Sequence, residues 1–258
     1  MTQPLITVIV PHHLNRNEDY LKWCVKSILA TELCPLEVLV MSDAERGVDC
    51  FNDPRVTSMW NSSFNNLTKK WNECLRLASP ASKYVMLISD DVMVSKHTIG
   101  EMARTIGDNQ MILSPASNCD STTRYHTDFF LGGPGDTIKI PLKCTLDQIK
   151  GYEQDVIDYP RGQKVLIDPG WVSFYCTMFP KTVLETVGDF DEQLDVRYND
   201  VDYCQRARNL GIRAFVHLGV FALHFGDRTL PISTSKEEYD AADIAYFKKY
   251  RPDIELKA

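Results

Sequence analysis

At 258 residues and 44% hydrophobic, the chain has the size and composition of one substantial globular domain and needs no second one. Its longest apolar runs, such as residues 5–10, are far too short to span a bilayer, and no basic stretch leads into an apolar one at the N-terminus as in a secretory signal. A net charge of −7 argues against wholesale affinity for nucleic acid or an anionic membrane, leaving only a local basic groove through Lys69, Lys70, Lys139 and Lys143.

In chain order, residues 5–10 form a β-branched run that predicts a strand. Residues 20–30 then place Leu21, Cys24, Val25, Ile28 and Leu29 on one helical face. A strand follows over 37–41 and another over 56–60. An amphipathic helix over 67–77 leads into a strand over 84–88. Strand, helix, strand, strand, helix, strand predicts an α/β fold whose mainly parallel sheet is flanked by helices. Residues 119–165 differ in kind: Gly132-Gly133-Pro134-Gly135, Pro141 and Pro160 mark long loops suited to a lid or an acceptor-binding segment. The eight cysteines show neither a CxxC nor a zinc spacing, and Cys24, Cys74 and Cys204 fall in apolar helical patterns. They read as buried free thiols in a reducing cytosol.

Two segments carry chemistry. The apolar run from Val85 to Ile88 ends on Ser89-Asp90-Asp91. In an open α/β sheet, ligands bind outside the carboxyl ends of the strands, so acids there face a crevice. A carboxylate pair at that place suits Mg²⁺ shared with a substrate diphosphate, although Asp-Asp is also a common way to turn a chain. The other segment is Val187-Gly188-Asp189-Phe190-Asp191-Glu192, followed by Asn199-Asp200-Val201-Asp202. Val201, Cys204, Ala207 and Leu210 have helical spacing, with Asn199 or Asp200 as the cap and Gly211 as the stop. Carboxylates at a helix start are also explained by the helix dipole.

In this order and at these separations, the segments resemble the GT-A glycosyltransferases, specifically the inverting glycosyltransferase family 2 and its rhamnosyltransferase-like members. Residues 6–11 look like the first strand and its Pro, 38–43 like the second strand with its nucleotide-binding Asp, and 84–92 like the Asp-X-Asp strand. Residues 111–118 look like the strand that follows. Residues 188–211 match the Gly-Phe-Asp-Glu block and the Glu-Asp-Val-Asp helix start, and His224 falls where the family carries a His after its last core strand.

The resemblance implies a single GT-A domain over 1–258, with a nucleotide-sugar-binding half (1–118) and an acceptor-binding and catalytic half (119–258). It implies that Asp91 and His224 hold Mn²⁺ or Mg²⁺, with Mn²⁺ the better match to an imidazole. Pro11, His12, Asp43, Asn72 and Asp90 are then donor-binding positions, and Asp200 is the general base that deprotonates the acceptor hydroxyl. The implied reaction moves a sugar from a nucleoside-diphosphate sugar to a glycan or lipid-linked saccharide, in the cytoplasm or at the inner face of a membrane.

Three positions depart from the family pattern. Ser89 replaces the first acid of Asp-X-Asp, Trp71 replaces an Arg that Lys69 or Lys70 would have to supply, and Asn199 replaces the usual Glu. A neutral Asn199 repels the Asp200 charge less. Other readings keep the donor chemistry but change the acceptor to a protein or a modified nucleic acid base. A nucleotidyltransferase and a non-catalytic sugar-nucleotide binder are further alternatives. Trp171 suits either an acceptor sugar or the core, and Arg228 either a diphosphate clamp or a solvated loop.

Overall fold

The computed structural model describes residues 6–13, 18–32, 34–43, 51–64, 66–117, 153–158, 161–195 and 197–225, together with 244 and 248. Most of the expected 119–165 lid or acceptor segment lies outside these residues, as do Lys139, Lys143 and Arg228.

β1 (Ile6–His12) is buried along its whole length, as its unbroken apolar run demands of a strand covered on both faces. α1 (Glu18–Leu29) follows, then β2 (Leu36–Ser42) and β3 (Val56–Trp60). α2 (Leu67–Leu77) starts at Asn66, whose extended backbone and side-chain acceptor for the Lys69 N–H make it an N-cap. β4 (Tyr84–Ile88) is central and fully buried. The segment 84–92, which the resemblance reads as one strand, is broken by a turn in which the Val92 N–H donates to the Ser89 carbonyl at 3.1 Å. A short β5 (Val92–Val94) begins immediately afterwards. α3 (Thr98–Ile106) and β6 (Met111–Ser117) come next, and β7 (Leu166–Ile167) and β8 (Cys176–Pro180) lie beyond the long loop. α4 (Lys181–Val187), α5 (Asn199–Asn209) and β9 (Arg213–His224) complete the series.

The sheet order is β3-β2-β1-β4-β8-β6-β9-β5, with β7 paired to β9. β1 runs parallel to β2 and β4, β2 to β3, and β6 to β9, whereas β8, β5 and β7 oppose their neighbours. The sheet is therefore mixed and mainly parallel. β8, from the C-terminal half, sits between β4 and β6 of the N-terminal half, so the two halves share one sheet.

Period-two alternation divides the core into two layers. Ile6, Val8 and Val10 face Leu21, Cys24 and Ile28 of α1 and Ile99 and Met102 of α3. Ile9, Leu39 and Met41 face the other way, toward Trp71 and Cys74 of α2, Val183 of α4 and Tyr203 and Ala207 of α5. Here Trp71 packs against Phe190 (5.1 Å between ring centres) and Phe174 (6.2 Å), which accounts for a bulky aromatic at a position where the resemblance led us to expect Arg. Trp171 is partly buried against the same layer. Cys24, Cys74, Cys176 and Cys204 are buried free thiols and Cys34 is partly buried, all without disulfides. Burial pushes Cys74 and Cys204 up to about 12, so these thiols stay protonated and inert.

Candidate active site

The order β3-β2-β1-β4 reverses direction at β1, so the crevice between the carboxyl ends of β1 and β4 is the topological switch point of the sheet. Pairing of β1 with β4 stops at Ile9 opposite Leu87, whereas pairing with β2 continues to His12 opposite Ser42. Pro11 falls just beyond the break, and a proline has no N–H with which to extend the ladder. The two strands stop pairing there.

Two carboxylates of the turn after β4 enter this region. Asp90 and Asp91 are 3% and 1% exposed, and burying charge to that extent requires partners. His12 Nδ1 donates to Asp90 Oδ2 at 2.6 Å, closing the cleft floor across the two strand ends. Asp91 faces the other way, its Oδ1 3.4 Å from His224 Nε2. β5 pairs antiparallel with β9, setting Val92 opposite His224, and the Phe225 N–H donates to the Asp91 carbonyl at 3.0 Å. The His224 ring stacks on Tyr175 with centroids 4.8 Å apart and planes 9° from parallel, which holds the imidazole in one orientation. Tyr175 in turn accepts the Ser89 N–H on its carbonyl at 2.8 Å.

A carboxylate oxygen and an imidazole nitrogen form a donor set suited to Mn²⁺. Adjacent ligands of an octahedral ion with bonds of about 2.1 Å lie roughly 3 Å apart, close to the separation of these two atoms. Among the described residues no group of three or more His, Cys, Asp or Glu side chains could hold a metal by itself.

On the β2 side of the cleft, Asp43 ends its strand. Asp43 Oδ2 is 3.3 Å from His13 Nε2 and 3.5 Å from Lys70 Nζ. Lys70 is only 3% exposed and donates to the His12 carbonyl at 2.6 Å, tying α2 to the end of β1. Burial pulls the Lys70 ammonium down, while Asp43 above all, with Asp90 and Asp195, holds it up. His13 and Tyr175 carry no sequence signal that marks them as site residues. A cation was expected from Lys69 or Lys70, but nothing in a lysine's identity marks it as buried.

The remaining expected positions are more scattered. Asn72 is buried on α2 with its amide engaged: Nδ2 donates to the Phe190 carbonyl at 2.9 Å and to Glu192 Oε1 at 3.1 Å, and Oδ1 accepts the Phe190 N–H at 2.9 Å. It fastens the Gly188–Glu192 block to α2. Asp200 lies in the first turn of α5, where neither it nor Asn199 is the cap. Instead Tyr198 precedes the helix in the left-handed conformation (φ 62°) with no side-chain cap bond. Asn199 Nδ2 donates to the Asp195 carbonyl, and Asp200 Oδ1 accepts the Val201 N–H at 2.8 Å. Asp202 is committed to Arg206, whose Nε donates to Oδ2 at 2.9 Å.

The family model for Glycosyl transferase family 2 matches residues 7–188. The chain belongs to glycosyl transferase family 2. The match spans β1 to α4 and includes Asp43, Asp90 and Asp91; Asp200 and His224 lie beyond it. Among solved structures, this family 2 glycosyltransferase is similar to the mannosyltransferase PcManGT from Pyrobaculum calidifontis in complex with GDP-Man and Mn²⁺. The TM-score is 0.61 at 14% sequence identity, covering 99% of this chain and 66% of that protein, a likeness in fold. No curated protein matches the sequence. The fold is thus GT-A-like. Among the described residues, no helix is long and apolar enough to cross a membrane.

Proposed function

We propose that this chain is an inverting, metal-assisted glycosyltransferase that moves a hexosyl or deoxyhexosyl group from a nucleoside-diphosphate sugar to a hydroxyl of a glycan or lipid-linked saccharide. The observation that carries the proposal is the pairing of His12 with Asp90 and of Asp91 with His224 at one switch-point cleft. Donor binding belongs mainly to residues 1–118 and acceptor binding and base chemistry to 119–258, with His224 contributed back to the donor side. The rhamnosyltransferase-like affiliation within the family is part of the same proposal, as is action in the cytoplasm or at the inner face of a membrane.

In this scheme the nucleoside lies against Asp43, whose orientation His13 and Lys70 hold, while Pro11 and His12 shape the pocket floor. Asp90, fixed by His12, meets the ribose or donor sugar. Asp91 and His224 would hold Mn²⁺ or Mg²⁺, which when bound neutralises charge on the diphosphate leaving group. The Pyrobaculum enzyme is in complex with GDP-Man and Mn²⁺, which supports a divalent ion beside the donor. Asp200 removes the acceptor proton as the hydroxyl attacks from the face opposite the diphosphate. Commitment of Asp202 to Arg206 favours Asp200 as the base. Asn72 is read as supporting the pocket through α2, because its amide is already bonded to Phe190 and Glu192.

A thermal-shift panel of UDP-, GDP- and TDP-sugars, with and without Mn²⁺, tests the proposal, because a ligand selective for the folded state raises its stability. The expected result is a metal-dependent rise for one nucleotide class, followed by release of nucleoside diphosphate on addition of an acceptor. Absence of any metal-dependent shift would sink the donor assignment, and release of pyrophosphate would point to nucleotidyl transfer.

A further inference from the structure

Asp195 joins two parts of the molecule that the proposed chemistry uses separately. Its Oδ1 accepts the backbone N–H of Leu67, the first residue of α2, at 2.7 Å. Its own carbonyl accepts the Nδ2–H of Asn199, the residue directly ahead of Asp200, at 2.6 Å. Burial pushes the Asp195 carboxyl up, while the Leu67 N–H and then the charges of Lys70, His13 and Lys69 draw it back down. Lys70 Nζ and His13 Nε2 also face Asp43, and Lys70 grips the His12 carbonyl.

α2 is therefore fastened on one side to the nucleoside pocket and on the other to the strand of chain leading into α5. Asn66 Nδ2 adds a bond to the Glu192 carbonyl at 3.1 Å, and Asn72 holds Phe190. Between Asp195 and Asp200 the backbone passes through Tyr198 at φ 62°, a conformation a bulky side chain keeps only where its surroundings impose it. The bond from Asn199 back to Asp195 spans that residue and is one such constraint.

We propose that Asp195 is a positioning residue that couples nucleotide occupancy to the catalytic helix: holding the first turn of α2, which carries Lys70 beside Asp43, and anchoring Asn199, it makes the start of α5, and with it Asp200, respond to a nucleoside diphosphate in the pocket. The inference rests on the roles proposed above for Asp43 and Asp200.

Hydrogen exchange measured by mass spectrometry over residues 197–204, with Mn²⁺ and UDP, GDP or TDP, tests the coupling. In the wild-type protein, the nucleotide that binds should slow exchange in this segment. Asp195→Ala should abolish that protection while calorimetry shows nucleotide affinity within about threefold of wild type. Asp195→Asn keeps an acceptor for the Leu67 N–H but removes the charge that interacts with Lys70, so it should keep the wild-type melting temperature and still lose the protection. Should Asp195→Ala fail to fold, Asp195→Asn carries the test alone. Protection that persists in Asp195→Asn overturns the proposal, as does wild-type nucleotide binding with no change at 197–204. If none of the three nucleotides binds the wild-type protein, the donor assignment itself falls and the coupling falls with it.

Discussion

His12 Nδ1 and Asp90 Oδ2 lie 2.6 Å apart, joining the ends of two strands that have already stopped pairing with each other. One imidazole thus bridges the switch point of the sheet at the place where Pro11 lets β1 and β4 separate. The bridge fixes the turn that carries both carboxylates, so the orientation of Asp91 toward His224 depends partly on a contact made on the opposite side of that turn.

Asp91→Asn should remove metal-dependent donor binding. The substitution withdraws a charge and an oxygen ligand from a two-donor set, and loss of even an outer-shell group at a metal site costs about tenfold to a hundredfold in affinity. Calorimetry of Mn²⁺ with the bound nucleotide should show at least that loss, with little change in melting temperature. Full affinity at limiting Mn²⁺ would remove Asp91 from the site.

Asp43→Ala should weaken binding of the free nucleoside diphosphate, with or without a sugar attached. A hydrogen bond to a charged group contributes roughly 1.5–3 kcal/mol, which corresponds to about tenfold to a hundredfold in affinity. The comparison is calorimetry with UDP, GDP and TDP on both proteins. Unchanged affinity for all three would mean that the carboxylate serves only to hold His13 and Lys70.

Asp200→Asn separates catalysis from helix stability. The variant cannot accept the acceptor proton, so turnover should fall by about 10² to 10⁴ while donor and metal affinity stay constant. A mere helix-start role predicts near-normal turnover. Because the cap position belongs to Tyr198, the melting temperature should hardly move in either case.

Gly219→Ala tests the packing of β9 beneath the loop at 161–165. A Cβ there would approach the Gln163 carbonyl oxygen to 2.4 Å and His217 Cε1 to 2.8 Å, and the first of these is backbone. Overpacking of this kind costs about 1–3 kcal/mol, so the melting temperature should drop by roughly 2–12 °C. An unshifted melting curve would show that the loop yields without cost.

His217 should make stability depend on pH. Its Nδ1 accepts the Gly219 N–H at 2.9 Å and its Nε2 lies 3.1 Å from Thr105 Oγ1, an arrangement that requires the neutral ring. Burial above all, with Lys164 and Arg104 nearby, lowers its pKa below the ordinary 6.5. The unfolded chain therefore binds the proton first as pH falls. Stability is lost as pH drops through about 6.5 toward the lowered folded value and regained as it rises. His217→Gln should flatten this slope in melting temperature against pH, and an unaltered slope would exclude His217 as its source.

Strand and helix identities in the first half were legible because they depend on local periodicity: β3, α2 and β4 have the expected limits, and β1 exceeds its expected C-terminal limit by two residues. The acids after β4 could also be placed at a strand end from sequence, since the apolar run stops on them, but their burial could not. The break between β4 and β5 could not, because Val92 is as apolar as the strand before it and only pairing with β9 assigns it elsewhere. The same holds for the antiparallel insertion of β8, for Tyr175 against His224, and for Lys70 under Asp43. Each joins residues far apart in the chain, where local pattern carries no information about register or partner. The amino-acid order by itself determined which apolar segments had to be buried and where carboxylates would end a strand. Only the tertiary structure decided which side chains meet, because burial of both sheet faces and satisfaction of every buried charge are conditions on the whole fold.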